Sequence, residues 1–103
     1  MNKPYAGLLA EFMVITNKAT NATHVVGFRF SEDHSVAELL ITNAVKVIQV
    51  EHNILETSDR CYGLGIRIDN PQYANYLMAH INQIPPSTLD EEIVVKRICL
   101  RPN

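Results

Sequence analysis

The feature that most narrows the fold of this chain is the stretch CYGLGIRI at residues 61–68, which alternates with a period of two. Tyr62, Leu64, Ile66 and Ile68 fall on one side of an extended chain and Cys61, Gly63, Gly65 and Arg67 on the other, the pattern of a half-buried strand. HVVGFRF at 24–30 divides the same way, with Val26, Phe28 and Phe30 against Val25, Gly27 and Arg29. Both segments read glycine, apolar, arginine, apolar, so the chain must build a sheet whose bulky side needs cover. The glycines pose a question, because glycine weakens a strand and often marks close approach by a ligand or another backbone.

The remaining segments fill in around these strands. GLLAEFMVIT at 7–16 reads as a buried strand, joined by the turn-rich NKATNAT to HVVGFRF as a hairpin. In VAELLITNAVKVIQVEHN, Ser35 and Glu38 have the spacing of a capping box, and Val36, Leu39, Leu40, Ala44, Val47 and Ile48 share one face of a 3.6-residue period. That predicts a helix, with a strand pair through ELLIT and VKVIQV as the other reading, because β-branched residues lose χ1 freedom in helices. Asn70 as N-cap and Pro71 at the first helical position start a second helix through QYANYLMAHINQI, which Pro85 and Pro86 end. STLDEE then leads to a last strand, IVVKRICL, at 93–100. The expected fold is a single α+β domain over residues 1–103, a two-layer sandwich of a four-stranded mixed or antiparallel sheet with two helices on one face, in the order β-β-α-β-α-β.

Composition removes several function classes. Nine Lys and Arg against eleven Asp and Glu give a net charge of −2, which supplies no footprint for nucleic acid; Lys96, Arg97 and Arg101 form the sole basic cluster. Cys61 and Cys99 lie far apart, and His24, His34, His52 and His80 are scattered, so no metal or cofactor is expected. There is no leader pattern and no apolar run long enough for a bilayer, which points to the cytoplasm and away from a membrane. No Walker loop or G-x-S-x-G elbow assigns a catalytic residue, and the chain reads as acting by binding rather than catalysis.

Two candidate surfaces remain. If the two alternating strands are neighbours, Gly27, Gly63 and Gly65 open a shallow floor ended by Arg29 and Arg67, whose donor forks suit a carboxylate or phosphate. The same glycine face suits another subunit's sheet. Asp33 and Asp69 are the expected internal partners of those arginines. From Asn70 to Leu89, twenty residues carry no Lys, Arg, Asp or Glu, and Gln72, Tyr76, His80 and Gln83 form a row at helical spacing. Depleted charge with retained tyrosine is the composition of an interface centre. The reading that follows is a small interaction or regulatory module whose partner is another protein or a second copy, a homo-oligomer. The other reading is an anionic-ligand-binding protein or compact enzyme built on Arg29 and Arg67, with His80 or Cys61 as a proton or nucleophile group.

Overall fold

The computed structural model describes residues 3–18, 20–82 and 92–100. Seven strands form one mixed sheet: β1 (Tyr5–Asn17), β2 (Ala22–Phe30), β3 (Val36–Ile41), β4 (Val45–Gln49), β5 (Ile54–Thr57), β6 (Cys61–Arg67) and β7 (Ile93–Cys99). One α-helix, α1 (Pro71–Ile81), and a single 3-10 turn, Val50–His52, complete the described elements. The sheet order is β4-β5-β6-β1-β2-β3-β7, with β1 and β6 parallel and the other neighbours antiparallel.

This overturns the expected four-stranded sheet with two helices. The segment expected as the first helix is β3 and β4. The sequence misleads because β3 is covered on both faces: Leu39 and Ile41 pack on one side and Leu40 on the other. A strand buried on both faces is apolar without alternation, and such a run imitates a helical stripe. The capping-box residues serve other ends, since Glu38 binds Arg29 and Arg97 while the Ser35 hydroxyl donates to Asp33. The second helix does form, from an Asn70 side chain that accepts from the amides of Gln72 and Tyr73, with Pro71 next in line. It ends at Asn82; Gln83, Ile84 and the expected proline stop lie outside the described residues.

The sheet is strongly curled. Only Thr42–Ala44 join β3, sixth in the sheet order, to β4, which is first. In a flat sheet those strands would stand about 24 Å apart, whereas the four steps from Ile41 to Val45 reach about 14 Å at most. The two ends of the sheet therefore bend towards each other. The junction is pinned by the buried Thr42, whose hydroxyl accepts from the Val25 amide (3.1 Å), and by the buried His24, whose Nδ1 lies 2.9 Å from the Thr42 carbonyl. Curling seals the inner face around Leu9, Val25, Leu40, Leu55, Tyr62 and Leu64. On the outer face, α1 packs Leu77 and Ile81 over Val26, Phe28, Ala37, Leu39 and Ile41.

A bulge in β1 changes which side chains face in. Against β2 the register slips between Leu9 and Glu11, leaving Ala10 unopposed. Leu9 packs inside, yet Phe12 and Val14 also pack inside while Met13 and Ile15 pack outside with α1. The alternation is reversed across Ala10. β6 slips against β1 between Tyr5 and Leu8, where Gly7 takes a positive φ, but from Leu8 onward it stays in register and reverses with β1: Tyr62 and Leu64 point in, Ile68 packs with the α1 cluster, and Ile66 is 72 % exposed. The expectation that Tyr62, Leu64, Ile66 and Ile68 share one face is thus corrected at Gly65.

Candidate functional site

The two glycine strands are not neighbours, as a shared floor would require: β1 lies between them, and Gly27 and Gly65 meet its bulge from either side. A Cβ on Gly65 would lie 2.2 Å from the Ala10 carbonyl oxygen, and one on Gly27 would lie 2.8 Å from that of Glu11. The chain's own backbone takes the space beside both. Gly63 differs: its added Cβ would meet the Tyr5 hydroxyl at 2.9 Å and Leu8 Cδ1 at 3.0 Å, both side-chain atoms on the outer face.

Arg29 and Arg67 are not brought together. Arg29 lies at the centre of a half-buried ion cluster. Its Nη1 donates to the Ala6 carbonyl (2.9 Å) and to Glu92 Oε1 (2.9 Å), and its Nη2 donates to Glu92 Oε2 (3.0 Å) and Glu38 Oε1 (3.1 Å). Tyr62 donates to Glu92 Oε1 at 3.0 Å, Arg60 stands 3.3 Å from the same oxygen, and Arg97 donates to Glu38 Oε2 at 2.8 Å. Burial opposes the charge on Arg29, but hydrogen bonds from it to Glu92 and Glu38 outweigh that and raise its pKa. The Arg97 hydrogen bond, against burial and with help from Arg29, lowers the pKa of Glu38. Burial first, then the charge of Glu92, pushes up the Tyr62 hydroxyl, so it remains a donor. The guanidinium of Arg29 spends its donor fork on Glu92, which leaves the fork engaged internally.

The expected aspartate partners serve elsewhere or stand apart. Asp33 accepts from the Ser35 and Ser31 hydroxyls and from the Ser35 amide, and these bonds hold its pKa at about 2. Arg67 is exposed, pairs in register with Phe12 and has no ion-pair partner among the described residues. Sequence reasoning missed Glu92, which sits in a stretch that reads as a connector. The one available signal was the inward-facing Arg29, which needs a carboxylate when it is covered.

The helix row is present as far as it is described. Gln72 and Tyr76 are exposed and His80 is half-buried; Gln83 lies outside the described residues. The Tyr76 and His80 rings meet at a tilt of 59° with centroids 4.7 Å apart, and Lys96 donates to the Tyr76 hydroxyl at 3.5 Å. A charge from β7 therefore borders the uncharged row.

A different surface is barer. α1 covers the outer face only over β1, β2, β3 and β7. Over β4, β5, β6 and the start of β1 nothing described covers it, and cross-strand register aligns two rows there: Leu8, Gly63, Ile54 and Gln49, then Tyr5, Cys61, Glu56 and Val47. Tyr5 is 65 % exposed and Leu8 49 %, with Val47 and Ile54 also open. Lys3 and Glu56 form an ion pair of 3.9 Å at the rim.

Among the described residues no group of three or more His, Cys, Asp or Glu could hold a metal ion, and no helix is long and apolar enough to cross a membrane. No protein-family model matches the chain, and no curated protein or solved structure is significantly similar to it.

Proposed function

We propose that the protein is a self-associating interaction module that pairs two copies through the bare outer face of β4, β5, β6 and the start of β1. The observation that carries this reading is the apolar strip of Tyr5, Leu8, Ile54 and Val47, aligned in register and covered by no helix among the described residues. The strip exposes roughly 400 Å², within the range of the largest apolar patch on an ordinary monomer, which is often functional. That is about half of the ~800 Å² per partner in a standard interface, a fitting share for its apolar centre. Gly63 between Leu8 and Ile54 keeps the centre flat enough for another sheet.

The occupant is a second copy because the rim is self-complementary. In a two-fold pair each patch meets itself, so Lys3 of one chain can face Glu56 of the other and the reverse. The two thiols, Cys61 and Cys99, are unpaired, which suits a reducing compartment such as the cytoplasm.

Sedimentation velocity tests the proposal. Native protein is expected to sediment as a dimer, Leu8→Asp or Ile54→Asp as a monomer, and Tyr76→Asp, on the helix row, as a dimer. Lys3→Glu alone places Glu opposite Glu, and Glu56→Lys alone places Lys opposite Lys. Mixed one to one, the two variants regain both pairs and should dimerise with each other. A monomeric native protein, or a mixture that gains nothing, refutes the reading.

A further inference from the structure

A second surface of the outer face has a different chemistry. A groove of about 390 Å³ runs under the first turn of α1, lined by Phe28, Phe30, Ile66, Tyr73, Ile98 and Leu100. Register gives its course: Ile98 pairs with Ala37 and Ala37 with Phe30, while Phe28 pairs with Glu11 and Glu11 with Ile66. The groove thus crosses the sheet from β7 to β6, four strand spacings or about 19 Å. An extended peptide of five to six residues spans that distance at about 3.3 Å per residue.

The groove carries a single charge. Glu11 lies in its wall, exposed, and without an ion-pair partner among the described residues. Among the described residues its carboxylate accepts only from the Tyr73 hydroxyl, at 3.3 Å on Oε2. Burial, then the nearby Glu11 charge, pushes the Tyr73 hydroxyl up to about 12, so Tyr73 stays a donor and the carboxylate stays the acceptor. An apolar trench with one unneutralised carboxylate complements an apolar chain that bears a cation.

From this geometry we infer that the groove binds a peptide segment of a partner protein, its bulky apolar side chains seated between Phe30, Ile66 and Leu100 and a lysine or arginine paired with Glu11. A peptide fits better than a compact ligand because the trench is long and open along one side, so that successive side chains can be seated in turn. The site is independent of the self-association strip, which lies on the far side of the β1 bulge.

The test is an amide chemical-shift titration of the whole protein with an eight-residue peptide alternating leucine and lysine, its leucine–glutamate counterpart, and octylammonium. The lysine peptide is expected to move the amides of Glu11, Phe28, Ile66 and Tyr73, and the glutamate peptide to move none. Glu11→Gln, which keeps an acceptor for Tyr73, should weaken the lysine peptide about fivefold. Ile66→Ser, at a residue that supports little of the core, should weaken it similarly while leaving the melting temperature in place. Equal binding of both peptides, or an unchanged affinity in Glu11→Gln, overturns the inference. Binding of octylammonium without the lysine peptide overturns the peptide as occupant.

Discussion

Substituting alanine in turn for each of the three glycines of β2 and β6 should separate them by what their side chain would strike. At Gly65 the new Cβ would lie 2.2 Å from the Ala10 carbonyl oxygen and 2.9 Å from the Ala10 Cα, all backbone of the neighbouring strand. Ordinary contact begins more than 1 Å further out, so β1 and β6 must part locally or give up their register. Overpacking of this kind costs roughly 3 kcal/mol, which for a domain of this size lowers the melting temperature by on the order of 15 °C. At Gly27 the nearest backbone atom is 2.8 Å away, and the cost should fall to about 1–2 kcal/mol. At Gly63 the obstacles are the far ends of Tyr5 and Leu8, which can swing into solvent. There the change should be within about 0.5 kcal/mol, and replacing a strand glycine can even stabilise. Urea unfolding at one chain concentration, with the slope checked for constancy, measures all three. If Gly63→Ala destabilises as much as Gly65→Ala, the account of these glycines as room for the β1 bulge is wrong.

Three further outcomes follow from the local bonding. Tyr62→Phe removes one donor from Glu92 and should cost about 1.5 kcal/mol, whereas Glu92→Ala also strips Arg29 of its bidentate partner and should cost about 2–3 kcal/mol; equal effects in urea unfolding would place the stabilisation in Tyr62 alone. Asn70→Ala deletes the acceptor for the Gln72 and Tyr73 amides and should cost about 1 kcal/mol, seen as faster amide exchange in the first turn of α1. Asp33 has its pKa lowered from 3.8 to about 2, so its contribution is full above pH 4 and is lost as pH falls towards 2. The stability gap between native protein and Asp33→Asn should accordingly narrow from pH 4 to 2 and close as pH falls through 2, and a gap as wide at pH 2 as at pH 5 contradicts the assignment.

The parts of the fold legible in the sequence are those whose pattern is local. The β1–β2 hairpin, the last strand and the α1 start declare themselves through alternation, turn residues and a cap. β3 does not, because its burial on both faces arises from a curl set by the whole sheet, and its share of the helical stripe, Val36, Leu39 and Leu40, is a by-product of that burial. The site divides in the same way. A helix-face row such as Gln72, Tyr76 and His80 can be read from helical spacing, whereas the partners of Arg29 come from β3 and from the residue before β7. Nothing in the spacing of residues 29, 38 and 92 announces that meeting.

The glycines of the two echoing strands tie these levels together. Gly27 and Gly65 stand on opposite sides of β1 and leave room for the bulge at Ala10, and the bulge reverses the alternation of β1 and β6. Without the reversal Glu11 and Ile66 would point with Leu9 and Leu64 into the sealed inner face, where an isolated carboxylate is costly. With it, both residues reach the outer face beside Tyr73 and make the wall of the groove. The same step separates the groove from the strip of Tyr5 and Leu8, which lies on the N-terminal side of the bulge at Ala10. A backbone irregularity that costs the sheet one ladder position therefore distributes two surfaces along a single strand, and Gly65→Ala, which forces β1 and β6 apart beside Ala10, should weaken peptide binding at Glu11 more than dimerisation through Leu8, which lies further along the ladder.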